Sequence, residues 1–250
     1  MNTAGERQWL VIVILTATVV LGWVLGFAAK AANADVKTGY AEQRTWTLPE
    51  FSSISIAGSP NVRLVPGDKL AVTAIGDNAA LQRLAVFVDA GTLRIEPKKQ
   101  GWLRRTKPLE IVIEYHEIDS LMLAGSASLV AESATELVSE ELSIGLAGSG
   151  DIKLPELRGR ALAVEINGSG DIQVNGSFDR QTVAVNGSGS YRANDLVSTA
   201  ADVAVTGSGD ADVQVNDLLS ARITGSGRIR YAGSAKVAKT VTGSGRVVQQ

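Results

Sequence analysis

The chain is 250 residues long with a formal net charge of −2 and a pI near 5.6, so it offers no global attraction to nucleic acid, which usually calls for a basic domain or face. It contains no cysteine, which excludes a disulfide framework and a thiolate metal site. Glycine is abundant at 26 residues, yet proline is scarce at 6 and apolar residues reach 45%, a balance that favours a packed domain over disorder.

Residues 1–30 form a membrane-directed segment. Leu10 to Phe27 is an uncharged apolar run of 18 residues, extended to 20 by Ala28 and Ala29, enough to span a bilayer as one helix. Contact with the membrane is therefore expected through residues 10–29. Ala29-Lys30-Ala31 and Ala32-Asn33-Ala34 both fit a small-residue processing site, so a retained anchor and a cleaved signal stay open. Arg7 on one flank and Lys30 and Lys37 on the other do not decide the orientation. Residues 31–44 read as a polar linker, and the remaining 45–250 are long enough for one well-filled domain.

From Thr45 to Leu123 the text is strand-like but irregular, as expected where a stack of repeats must be capped. Candidate strands are Ile54–Ile56, Val62–Val65, Leu70–Ala74, Ala85–Val88, Leu93–Glu96, Glu110–Tyr115 and Ser120–Leu123, with a helical turn at Asn78 to Arg83. Pro66-Gly67-Asp68 and Asp89-Ala90-Gly91 supply turn chemistry. One insertion gathers five cations around an aromatic: Lys98, Lys99, Trp102, Arg104, Arg105 and Lys107. A solvated loop is the plainer reading, and contact with anionic lipid headgroups or an acidic glycan is the functional one. His116, the only histidine, sits just past a strand, which rules out a histidine metal cluster and reads as a solvated turn residue.

Beyond Met122 the chain is written as a repeat. Gly-Ser-Gly triplets start at Gly148, Gly168, Gly187, Gly207, Gly225 and Gly243, at successive intervals of 20, 19, 20, 18 and 18 residues. A near-constant period of this size marks a solenoid. Relaxed copies at Gly58-Ser59-Pro60 and Gly125-Ser126-Ala127 extend the series, and the 67 residues between them have room for about three more turns.

Apolar residues alternate through each triplet without slipping: Val164, Ile166, Gly168, Gly170, Ile172 and Val174 share one parity. Period two is strand spacing with one buried face, so both glycines are expected on the core side and the serine outside. A rung of 18–20 residues buries its apolar face only by stacking on the next. The fold class expected is all-β, a parallel β-helix, favoured right-handed by the general crossover preference although 18-residue rungs also occur in left-handed helices, preceded by one N-terminal transmembrane or signal helix. Tandem hairpins compete, because Asn175-Gly176 is a good two-residue turn, but that signal does not recur at Asn194-Asp195 or Asn216-Asp217.

The outward serines Ser149, Ser169, Ser188, Ser208, Ser226 and Ser244 should stack in a column about 4.8 Å apart. They are either a structural hydroxyl ladder with cross-rung bonds or a polar strip for a ligand. Beside them runs a second column: Asp151, Asp171, Ser190, Asp210, Arg228 and Arg246. Asp151 and Asp171 could share a cation, or each aspartate could cap its own turn, with Asp210 paired to Arg228. The same two acids could approach the spacing of about 5 Å that retaining glycoside hydrolysis needs. Regular stacking supplies that distance regardless, and no odd acid interrupts the repeat, so no catalytic residue, metal or cofactor is assigned. At the C-terminus, Val241, Val247 and Val248 end on no evident charged cap, which points to homo-oligomerisation through the last rung or to a cap made by Gln249-Gln250.

Serial triplets in register, often followed by Asp, together with Phe51-Ser52-Ser53-Ile54-Ser55-Ile56 and Val88-Asp89-Ala90-Gly91-Thr92-Leu93-Arg94-Ile95, carry a family likeness. From about Trp46 to Val248 the chain resembles the head GIN domain family of auto-transporter adhesins, a domain of unknown function. The resemblance implies a pectate-lyase-like β-helix in a bacterial cell envelope, without established catalytic residues and with an adhesive or binding role. Ser190, Arg228 and Arg246 depart from the pattern where Asp is usual. The function expected is a non-catalytic envelope binding or adhesion module whose partner is a polysaccharide or another protein. Its location is the inner membrane facing the periplasm, or the periplasm or outer surface if the segment is cleaved. A β-helical polysaccharide lyase or hydrolase, or a purely structural envelope protein, is the alternative.

Overall fold

The structure, a computed structural model, describes residues 41–98, 108–132 and 136–250. The N-terminal apolar segment, Lys99, Trp102, Arg104, Arg105 and Lys107 lie outside the described residues. Among the described residues, no helix is long and apolar enough to cross a membrane.

The chain begins with β1 (Glu42–Thr47) and lays a first rung as β2 (Ser53–Gly58) and β3 (Asn61–Pro66). β4 (Ala71–Gly76), the short helix α1 (Asn78–Arg83) and β5 (Leu84–Asp89) lead to a second rung, β6 (Thr92–Pro97) and β7 (Glu110–Tyr115). β8 (Ser120–Gly125), β9 (Ser128–Ala131), β10 (Leu137–Val138) and β11 (Glu141–Gly148) follow. Four strands then run from one triplet to the next: β12 (Asp151–Gly168), β13 (Asp171–Gly187), β14 (Ser190–Gly207) and β15 (Asp210–Gly225). β16 (Arg228–Ala232), β17 (Lys236–Gly243) and β18 (Arg246–Gln249) complete the stack.

From β8 onward every pairing is parallel, which makes the domain a β-solenoid and removes the hairpin alternative. The unequal repeat lengths are absorbed by register shifts between Leu154 and Leu157, between Gln173 and Gly176, and between Ala193 and Val197. At the triplets there is no shift, and Gly148, Gly168, Gly187, Gly207, Gly225 and Gly243 stack one on another.

The early part differs from the expected three turns. Among the described residues only one rung, β6 with β7, occupies the interval, and it stacks outside the rung written first: β2 lies between β6 and β8, and β3 between β7 and β9. The rest of the interval is antiparallel, with β4 on β7, β1 on β4 and β5 on β6. For β5 on β6 the physical cause is the turn at Asp89-Ala90-Gly91, where Ala90 (φ +47°) and Gly91 (φ +74°) are both left-handed. Two such residues close a tight hairpin whose twist matches its strands.

The core is a set of stacked apolar columns. One of them runs through Leu93, Ile54, Leu121, Ile144, Val164, Val183, Val203 and Ala221, all buried. Gln181 interrupts a neighbouring column yet is fully satisfied. Its amide donates to Ser198 Oγ (2.8 Å) and it accepts from Tyr191 Oη (3.1 Å), while Ser198 donates to the Gln214 carbonyl (3.1 Å). A satisfied network of this kind is tolerated in a core and specifies the partners that complete it.

Both ends of the described stack carry a cation at a core-facing position, which the sequence alternatives for the last rung, self-association or a Gln249-Gln250 cap, did not include. Lys239 is the register partner of buried Ala221 and so ends the column just described. Gln249 does the same next door: it donates to the Gly233 carbonyl (3.2 Å) and accepts from Tyr231 Oη (3.4 Å). At the other end Arg44 pairs in register with buried Ala74 and lies 4.7 Å from the centroid of the Trp46 ring. A charge at the inward position of an edge strand opposes further strand addition, since stacking would bury it.

Candidate functional site

The candidate site is the strip along the triplet corner. The first glycine of each triplet adopts a φ between +114° (Gly207) and +132° (Gly168), a region that side chains other than glycine rarely enter. This conformation aims its carbonyl at the next rung, where two N–H groups share it: Ser169 N–H at 2.9 Å and Gly170 N–H at 3.1 Å both donate to Gly148 O. The arrangement recurs with Ser188 and Gly189 on Gly168, and with Ser208 and Gly209 on Gly187.

The second glycine has a different reason. Gly150, Gly170, Gly189, Gly209 and Gly227 are buried, and a β-carbon at Gly170 would fall inside contact distance of the Gly150 carbonyl and 2.7 Å from Leu146 Cδ2. Parity places both glycines in the core. The structure keeps only the second there, and the first is half-exposed because it makes the bend.

The six serines are exposed, as the alternation implies. Among the described residues no hydrogen bond joins one triplet hydroxyl to the next, so the expected ladder is not what ties the rungs together. The backbone does that, and stacked hydroxyls at about 4.8 Å stand too far apart for a direct bond of about 2.8 Å. Their hydrogen-bonding capacity faces outward. On one side they are flanked by Asn167, Asn186, Thr206, Thr224 and Thr242 in register, with Asn186 Nδ2 donating to Asn167 Oδ1 at 3.0 Å.

On the other side the second column stacks as expected: Asp151 on Asp171, then Ser190, Asp210, Arg228 and Arg246. Its bonding differs from the expectation. Asp171 accepts from Ser190 N–H (3.1 Å) and Arg192 Nη1 (2.9 Å), both on the next rung, so these bonds reach across the rungs and do not cap its own turn. Asp210 is reached by Arg230 (3.7 Å) rather than Arg228, because Arg230 already forks onto Asp212 from Nε (2.5 Å) and Nη2 (2.9 Å). The hydrogen bond to Asp212 favours the charged guanidinium and raises its pKa further.

His116 is exposed beyond β7. Lys98 is exposed too, and its backbone N–H donates to the Arg83 carbonyl at 2.7 Å. The Thr and Asn flank and the Arg192–Asp171 diagonal are neighbours of the strip that the sequence reading did not single out, although the triplet spacing places each one directly.

The family model described as "Putative auto-transporter adhesin, head GIN domain" matches residues 50–235. A crystal structure described as a "putative adhesin" from Bacteroides fragilis superposes with a TM-score of 0.78 at 22% identity, covering 85% of this chain and 98% of its own. A "putative lipid binding protein" from Parabacteroides distasonis gives 0.70 at 25% identity, over 85% and 98%. A "putative adhesin" from Parabacteroides merdae gives 0.68 at 20%, over 85% and 97%. None of the curated proteins compared with the chain matches it.

Proposed function

Because the chain belongs to the auto-transporter adhesin head GIN domain family, we propose that it is a non-catalytic binding module of the cell envelope whose contact surface is the triplet strip. The observation that carries this reading is the column of exposed serine hydroxyls held in strict register, among which no hydroxyl bonds to the next. A surface that repeats the same donor and acceptor every rung suits an extended, repetitive partner such as an envelope polysaccharide, with weak contacts that add along its length. Export to the envelope fits the family and the apolar N-terminal segment, which would tether the chain to the membrane unless it is cleaved.

Replacing Ser169, Ser188 and Ser208 together with glutamine tests the reading. All three are exposed and outside the core, so the domain keeps its fold, and retention on whole-envelope polysaccharide should fall at least tenfold. Undiminished retention would shift the role to structure or to the Trp102 segment. Polysaccharide turnover abolished by Asp171→Asn would favour an enzyme instead.

A further inference from the structure

Charge is segregated along the solenoid. After Asp217 the chain contains no Asp or Glu, and residues 218–250 carry six cations: Arg222, Arg228, Arg230, Lys236, Lys239 and Arg246. The whole chain sums to −2, which leaves −8 for residues 1–217. Since rungs stack in sequence order here, the final 33 residues are the final rungs and the cations collect at one end.

Two of the six are neutralised by acids of preceding rungs: Arg222 by Asp202 (3.9 Å) and Arg230 by Asp212 and Asp210. Arg228, Arg246, Lys236 and Lys239 have no acidic partner among the described residues. Arg228 and Arg246 are direct register partners, both exposed, in the outward column beside Ser226 and Ser244. Like charges directly opposite each other on neighbouring strands destabilise the pair, and nothing in the core requires arginine at these outward positions. An anion seated between them removes the repulsion, and a guanidinium fork suits a carboxylate.

We infer that the strip takes an acidic polysaccharide, whose carboxylates are held by the stacked Arg228 and Arg246 while its hydroxyls lie along the serine column. The inference rests on the strip reading above and adds the ligand's charge. A polymer fits better than a lipid surface because the two arginines stack in single file along the solenoid axis, beside the serine column, instead of forming a flat basic face.

The experiment uses the full chain in a nonionic detergent, with polygalacturonate and its methyl ester as probes in affinity electrophoresis. Polygalacturonate should bind at least tenfold tighter than the ester, with affinity falling as salt rises. Arg228→Gln/Arg246→Gln should lose about tenfold. The charge-matched Arg158→Gln/Arg160→Gln, at arginines paired with Glu136, Glu140 and Glu141 away from the strip, should lose less than threefold. Equal binding of acid and ester, or wild-type affinity in the Arg228/Arg246 variant, overturns the inference. So does binding of glycerophosphoglycerol, a lipid headgroup without tails, in place of polygalacturonate. The two readings fail separately. If the serine triple variant alone loses binding, the strip stands and the arginine site falls; if the arginine variant alone loses it, the arginine site stands and the serine strip falls.

Discussion

Gly170→Ala should be among the most damaging single-methyl additions in the chain. The added β-carbon meets the stacked rung below, inside contact of Gly150 O, 3.1 Å from Gly150 N and 2.7 Å from Leu146 Cδ2. Leu146 can change rotamer at a modest cost, but Gly150 O is backbone and is already held by Asp171 N–H at 3.1 Å. To restore ordinary carbon–oxygen contact the two rungs must part by roughly 1 Å, which overstretches that bond and strains the shared pair on Gly148 O. One or two lost backbone bonds cost about 1 kcal/mol each and overpacking adds about 1 to 3 kcal/mol, for a total of about 2 to 5 kcal/mol. That is a large share of the 5 to 15 kcal/mol of a typical domain. Urea unfolding followed by circular dichroism should show the midpoint falling at constant slope. Ser169→Ala, one residue away but exposed, should stay within about 0.5 kcal/mol of wild type. If Gly170→Ala also stays within about 0.5 kcal/mol, the steric account of the second glycine is wrong.

Lys239→Val should remove the cation at the end of the last column and leave Val237, Val241 and Val247 on an apolar edge, so sedimentation velocity should show stronger concentration-dependent association than the wild type. A variant that sediments as the wild type does refutes the capping role. Stability should also fall in alkali: burial pushes the Tyr191 phenol far above its usual range and that of Tyr115, whose Oη is buried without a partner, upward as well. The folded state keeps these protons while the unfolded chain releases them near pH 10, so the stabilisation is whole below about pH 10 and declines above it. Each such tyrosine contributes a slope of about 1.4 kcal/mol per pH unit, and unfolding free energies that stay flat from about pH 9 to 11 would contradict the burial.

The strands, the helical turn of α1 and the triplet register were legible because each rests on a local rule: period two for a buried face, and glycine where the backbone bends. Stacking order was not. That β6 and β7 lie outside β2 and β3 depends on which strand edge remains free, and no local pattern encodes it. The hairpin between β5 and β6 was half legible, since Asp89-Ala90-Gly91 announced a turn without saying that it reverses the chain. Lys239 could have been read by carrying the parity of Val237 and Val241 through the last strand. Asp210 pairs with Arg230 rather than Arg228 for a reason the column rule leaves out: a long guanidinium reaches diagonally, and Arg230 was already drawn toward Asp212.

The two faces of the wall are under different constraints, and this separates structure from function. Inward positions must fill a column, so their replacements stay apolar or, like Gln181, fully bonded. Outward positions beside the triplet meet no such demand, yet they change in one direction. The column before the serine runs Ala57, Ala124 and Ala147 through the early rungs, then Asn167 and Asn186, then Thr206, Thr224 and Thr242. Packing cannot account for this drift, because the side chains of Asn167, Asn186, Thr206, Thr224 and Thr242 are exposed. Hydrogen-bonding capacity therefore accumulates toward the same end of the solenoid at which Arg228 and Arg246 stack. A partner that lies along the strip meets little more than serine at the early rungs and a row of amide, hydroxyl and guanidinium groups at the late ones. Contact should accordingly concentrate over the rungs from Asn167 onward, while the early rungs and their antiparallel strands close the stack.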